Sequence, residues 1–211
     1  METSEDVQES LINVFRDLGR IIARNVAGAI SELTGEKVSS KRSHLRLFYA
    51  GEFCKNFCSD YPMVGLYFDF QRGPDIVALF LLPVEDIEHM LRNMLGRGLE
   101  DMEREIVDSG MREIGNILVC AYSDAVSNFF NEPVMPSVPY FEIDEPIRIF
   151  RKIRSEFPRI SEKLLYLENE FYRGGEKMHF HFVMFPRGTA LTELIKKLRV
   201  NGNFSVKMTD G

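Results

Sequence analysis

No run of apolar residues in this sequence is long enough to cross a bilayer. The longest, near Ile76 to Val84, falls well short of the about 20 residues that a spanning helix needs. There is no Lys/Arg run either. With 26 Lys and Arg against 32 Asp and Glu, the formal net charge is −6, which argues against nucleic-acid binding. The first residues, METSEDVQES, are polar and acidic, unlike a signal or transit peptide, so neither export nor membrane insertion is expected. Cysteine is scarce: three in 211 residues, an odd number that suits a reducing cytoplasm better than a disulfide framework. Histidine is scarce too, at four. His179 and His181 share one side of a strand without further ligands nearby, and Cys54 and Cys58 have no matching second pair. No metal site is expected from either. What remains is 45% hydrophobic and 27% charged, enough for a real core in one domain or two small ones.

The most informative stretch runs from Ser109 to Asn128. At about 100° per residue, Val107, Met111, Ile114, Leu118, Ala121 and Ala125 share one apolar arc of a long helix. Ser109, Glu113 and Asn116 fall on the opposite side, so a carboxylate and a carboxamide stand one turn apart, away from the core. A solvated face is the ordinary reading of such a pair. Cys120 follows on that side and reads as a small packed residue rather than a nucleophile.

The stretch has an echo. Asp17 to Val38 lies over Glu113 to Val134 without a gap. Gly19 meets Gly115, Ile21 meets Ile117, Ala29 meets Ala125, Ser31 meets Ser127, Glu36 meets Glu132 and Val38 meets Val134. Downstream, Phe70-Gln-Arg-Gly73 recurs as Phe171-Tyr-Arg-Gly174, each followed by an apolar run ending in proline and then a helix. A period of about 100 residues is too long for a solenoid and implies a duplicated half-domain with a pseudo-two-fold axis.

In chain order, the pattern predicts a helix from Ser4 or Glu5 to Leu33, capped by Gly35, and a strand over Lys37 to Tyr49. A short helical or irregular connection follows from Ala50 to Asp60. Strands over Val64 to Gln71 and Ile76 to Leu82 form a hairpin around Arg72-Gly-Pro-Asp75. A helix runs from Val84 to Leu95 and breaks at Gly96 and Gly98. Asp101 opens the second long helix, which stops at Asn131-Glu-Pro133. A strand from Val134 to Asp144 is interrupted by Pro136 and Pro139, and Pro146 to Pro158 is a basic short helix or loop. A second hairpin, Leu164 to Phe171 with Met178 to Phe185, turns at Arg173-Gly-Gly175. A last helix covers Thr189 to Leu198, with a loose tail beyond. The expected fold is α+β: duplicated helix-strand-strand-strand-helix halves, about 8–96 and 101–200, with a central, mainly antiparallel sheet and the long helices on its outer side.

That order, and the residues at its centre, resemble the CheC family of the CheC/CheX/FliY chemotaxis phosphatases. The family signature is Asp or Ser, three residues, Glu, two residues, Asn, 22 residues and Pro, and Ser109, Glu113, Asn116 and Pro139 fit every spacing. The resemblance covers about residues 8 to 200. It implies hydrolysis of the aspartyl phosphate on a CheY-type response regulator, in which Asn116 enters the regulator's pocket and orients the attacking water. Glu113 would pair with a lysine of the regulator and fix the insertion angle. Ser109 and Pro139 would support the site without chemistry of their own. No cofactor of its own is implied, because the divalent metal would belong to the partner. The receptor-modifying deamidase CheD is a further possible partner, and a non-catalytic adaptor for CheD or a regulator is the rival reading. A third reading is a flagellar-switch component of the FliY kind, though no switch domain is seen.

The first half departs from the signature. Asp17 stands in place of Glu113, Arg20 in place of Asn116, Asn13 in place of Ser109, and Ser43 where the proline should be. Arginine has no acceptor for a water proton, so one active surface is expected, with Asp17 and Arg20 forming a surface ion pair. Arg148, Arg151, Lys152 and Arg154 make a local basic patch. A solvated face is favoured there over contact with an acidic partner.

Overall fold

In the computed structural model, the described residues are 4–57, 61–96, 103–178, 180–190, 192, 193 and 196. The chain opens with a 31-residue helix, α1 (Ser4–Thr34), as its pattern predicts. Leu18, Ile22, Val26 and Ile30 recur at helical spacing and are all buried. The helix ends at Gly35, whose φ of 69° favours glycine and whose amide bonds the Ser31 carbonyl at 2.9 Å. The strand β1 (Val38–Tyr49) and the helix α2 (Ala50–Phe57) follow. Next come β2 (Met63–Arg72), β3 (Ile76–Pro83) and α3 (Val84–Leu95).

The second long helix, α4, spans Arg104–Phe130. It begins with Glu103 as its cap rather than at Asp101, which lies outside the described residues. It ends at Asn131 in the left-handed region with φ 49°, in the alignment position of Gly35. The expected interrupted strand is two pieces, β4 (Met135–Pro136) and β5 (Tyr140–Asp144). The basic stretch is a helix, α5 (Pro146–Glu156), and it leads to β6 (Lys163–Arg173), β7 (Glu176–Met178) and β8 (His181–Pro186). Beyond β8, Ala190, Thr192, Glu193 and Lys196 are helical, and the rest of the expected last helix lies outside the described residues.

The described strands form one eight-stranded sheet in the order β1-β6-β8-β3-β2-β4, with β5 also on β2 and β7 on β6. All its pairings are antiparallel. The order is symmetric about β3 and β8, the last main strand of each half. The opening strands, β1 and β4/β5, each cross to an edge beside the middle strand of the other half.

Both faces of this sheet are covered. In β3, Ile76, Ala78, Phe80 and Leu82 pack with α1, α3 and α4, while Val77, Leu79 and Leu81 pack with α2 and α5. That explains why the strand is apolar at every position rather than at alternate ones. The two long helices therefore share one face. The connections expected to be short helices or loops form a second helical layer on the other, through Phe53 of α2 and Ile149, Phe150 and Ile153 of α5.

Candidate functional site

The buried side of α4 is Ile114, Leu118, Tyr122, Ala125 and Val126, and two glycines bring the helix close to its neighbours. A Cβ at Gly115 would stand 2.4 Å from Phe141 Cζ and 3.0 Å from Leu66 Cδ1, and one at Gly110 would stand 2.6 Å from Leu91 Cδ2. This seating fixes the opposite side of the helix, and Ser109, Glu113 and Asn116 are all exposed there.

Two open grooves flank that ridge. The first, about 600 Å³, runs between α1 and α4. Arg24, Gly28 and Glu32 form one wall, and Glu113, Asn116 and Asp124 stand on the other. Three carboxylates thus face a single guanidinium among its described lining residues, so the groove is acidic. The second, about 460 Å³, lies between the end of α3 and the start of α4. Ser109 and Glu113 border it against Met94 and Leu95. Glu113 therefore reaches both grooves, Asn116 the first and Ser109 the second.

Pro139 is half-buried in the irregular link between β4 and β5, which both run along β2, and is not among the residues lining either groove. That link is pinned to β2 by Ser137, whose amide bonds the Asp69 carbonyl at 2.8 Å and whose hydroxyl accepts from the Asp69 amide at 3.2 Å. In the first half, Arg20 Nη1 lies 3.5 Å from Asp17 Oδ1, with the two side chains 63% and 51% exposed. This is the expected surface pair. The side chains of Asn13 and Ser43 lie outside the described residues.

His181 Nδ1 is 2.7 Å from the Tyr166 hydroxyl, His89 Nε2 is 2.8 Å from Glu36 Oε2, and His179 and Cys58 lie outside the described residues. Cys120 is exposed rather than packed, and it lines the first groove. The basic residues of α5 are mostly paired: Arg148 with Asp144 and Glu145 at 3.6 and 3.4 Å, Lys152 with Glu142, and Arg154 with Glu162 at 3.8 Å. The hydrogen bond with Glu142 pushes the Lys152 ammonium above its ordinary range. Sequence reasoning missed the α1 wall. Its one legible signal was Gly28, a glycine inside an otherwise regular helical pattern.

No family model matches the chain. Its sequence is 21% identical over 193 residues to the CheY-P phosphatase CheC of Bacillus subtilis (strain 168), covering 88% of this chain and 92% of that protein. Among solved structures, Thermotoga maritima FliY superposes with a TM-score of 0.68 at 16% identity, covering 95% of this chain and 98% of the other. The FliM middle domain from H. pylori gives a TM-score of 0.62 at 12% identity over 90% and 98% of the two chains. No described helix is long and apolar enough to cross a membrane.

Proposed function

The chain is a CheC-like protein, and from that premise we propose that it is a phosphatase for the aspartyl phosphate of a CheY-type response regulator. The observation that carries the reading is the placement of Glu113 and Asn116: exposed, one turn apart, on a helix locked by close packing, and bordering an open groove.

The chemistry asks little of this chain. Water attacks the phosphorus, the bond from phosphorus to the acyl oxygen breaks, and the aspartate carboxylate leaves. The water proton ends on inorganic phosphate. The Asn116 carboxamide oxygen accepts a hydrogen bond from that water and holds it in line, a positioning contribution. Glu113 pairs with a basic group of the regulator and sets the depth and angle of approach. Ser109 shapes the neighbouring groove, Pro139 shapes the strand beneath the helix, and the divalent metal that balances the phosphoryl charge is the regulator's. The signature positions of the first half, with Asp17 and Arg20 paired to each other, take no part in this chemistry, and the two half-repeats arise by duplication.

The alternative is a non-catalytic adaptor that holds CheD or a regulator. The first half favours it, because there the same fold stands without the Glu/Asn pair. The deciding experiment follows the decay of a phosphorylated CheY-type regulator with wild type, Asn116→Ala and Arg20→Ala. Acceleration lost in Asn116→Ala and kept in Arg20→Ala is the expected result. Binding without acceleration by wild type establishes the adaptor instead.

A further inference from the structure

In the middle of the α1 wall stands Gly28, and nothing among the described residues asks for it. Glycine is a poor residue for a helix interior, because its backbone loses the most freedom on folding. Gly28 is exposed, and a Cβ there would meet no atom within 4 Å. Gly110 and Gly115 differ, since a Cβ at either would collide with a packed neighbour. Packing among the described residues therefore gives no reason for a glycine here. Gly28 faces the groove that Glu113 and Asn116 border.

We propose that Gly28 is the low point of a docking slot for the phosphorylated receiver domain, and that α1 supplies the second wall of the site carried by α4. This rests on the phosphatase reading above. The charges specify the occupant further. Arg24 and Glu32 stand one turn on either side of Gly28, and Glu113 and Asp124 add two more carboxylates. The matching face of the partner is basic around its anionic phosphoryl group. Arg24 is the positioning residue for that anion: among the described residues it has no ion-pair partner, whereas Arg20, one turn away, is held by Asp17 at 3.5 Å.

The test uses the full chain with Gly28→Ala and Gly28→Leu, a CheY-type regulator activated with beryllofluoride for binding, and the acetyl-phosphate-charged regulator for turnover. Both variants should fold with thermal midpoints no lower than wild type. Gly28→Leu should weaken binding by about tenfold or more and raise KM, with Gly28→Ala between, while Asn116→Ala keeps binding and loses kcat. Wild-type behaviour by Gly28→Leu, in a protein that does accelerate decay, overturns the slot and leaves the phosphatase reading standing. Wild-type binding without turnover, lost in Gly28→Leu, supports the slot and removes the phosphatase reading. If wild type binds no regulator and light scattering shows a self-association that Gly28→Leu abolishes, the occupant is a second copy of this chain and the proposal fails.

Discussion

The side-chain amide of Asn25 on α1 donates to the main-chain carbonyl of Ala121 on α4 at 3.3 Å. The two residues lie 96 positions apart, the same offset that sets Asp17 over Glu113 and Gly19 over Gly115. Equivalent points of the two echoing helices therefore touch each other, and the groove bordered by Glu113 and Asn116 opens over that contact. The Ala121 carbonyl also belongs to a helix interior, so removing Asn25 leaves no orphaned acceptor. Asn25→Ala should cost only about 0.5–1.5 kcal/mol, seen as a lower urea midpoint at constant slope. An unchanged midpoint would mean that apolar packing alone holds α1 to α4.

Three glycines should respond to alanine with different signs. At Gly28 the added methyl meets open space, and the helix gains up to about 1 kcal/mol. At Gly65 on β2 the Cβ would come within 2.8 and 2.9 Å of Ile149 Cγ2 and Cδ1, with both residues buried. Gly65→Ala should cost about 1–3 kcal/mol. Gly115→Ala should fall at the low end of that range, because the half-buried Phe141 ring can swing aside. It should still impair the proposed activity, since it shifts the seating of Asn116. Thermal midpoints of the three variants check the order, and equal midpoints would contradict it.

Much of this was legible in the sequence, for local reasons. Helix α3 reads directly from Pro83 before it and Gly96 after it, the latter left-handed at φ 68°. The β2–β3 hairpin reads from its turn residues. The sheet order does not, because β1 pairs with β6 of the other half and no local pattern encodes that crossing. The second helical layer was hidden in short segments, although the unbroken apolar run of β3 already signals a strand covered on both faces. At the site, spacing alone places Glu113 and Asn116 on the exposed side of α4. That Arg24, Gly28 and Glu32 face them is set by how α1 lies on the sheet. Pro139 fits the spacing, yet the structure puts it in the link between β4 and β5, outside both grooves.

Alkaline pH should destabilise the fold through buried phenols. Burial pushes the Tyr122 hydroxyl well above its ordinary range, and its hydrogen-bond partner is the Met184 sulfur at 3.5 Å. Burial, and then a 2.8 Å bond to Glu156, push Tyr67 the same way. Such groups keep their proton in the fold after the unfolded chain has begun to lose it. Their contribution is complete below about pH 10 and declines as pH rises beyond it. Lys152, held protonated by Glu142, acts in the same direction. Tyr122→Phe should change neutral stability little, because a thioether is a weak acceptor, and should flatten the decline. Urea midpoints from about pH 8 to pH 11 test this. An equally steep decline in the variant would assign the effect to other groups.

Rebuilding the first half tests whether the Glu/Asn pair is sufficient or needs a facing wall. Asp17 and Arg20 are 51% and 63% exposed, and their ion pair contributes at most about 1 kcal/mol. Asp17→Glu with Arg20→Asn should therefore fold normally and reproduce the Glu/Asn pair at helical spacing. In an Asn116→Ala background the rebuilt chain has no other carboxamide in the signature position, so any regained acceleration of phosphoregulator decay comes from α1. Among the described residues, the first groove presents Arg24 to Glu32 of α1 and not positions 17 and 20. A pair restored outside that groove lacks the wall that Gly28 and Glu32 give Asn116. We expect recovery of at most a small fraction of wild-type activity. Full recovery would mean that the pair is sufficient by itself and that the α1 wall is dispensable for turnover.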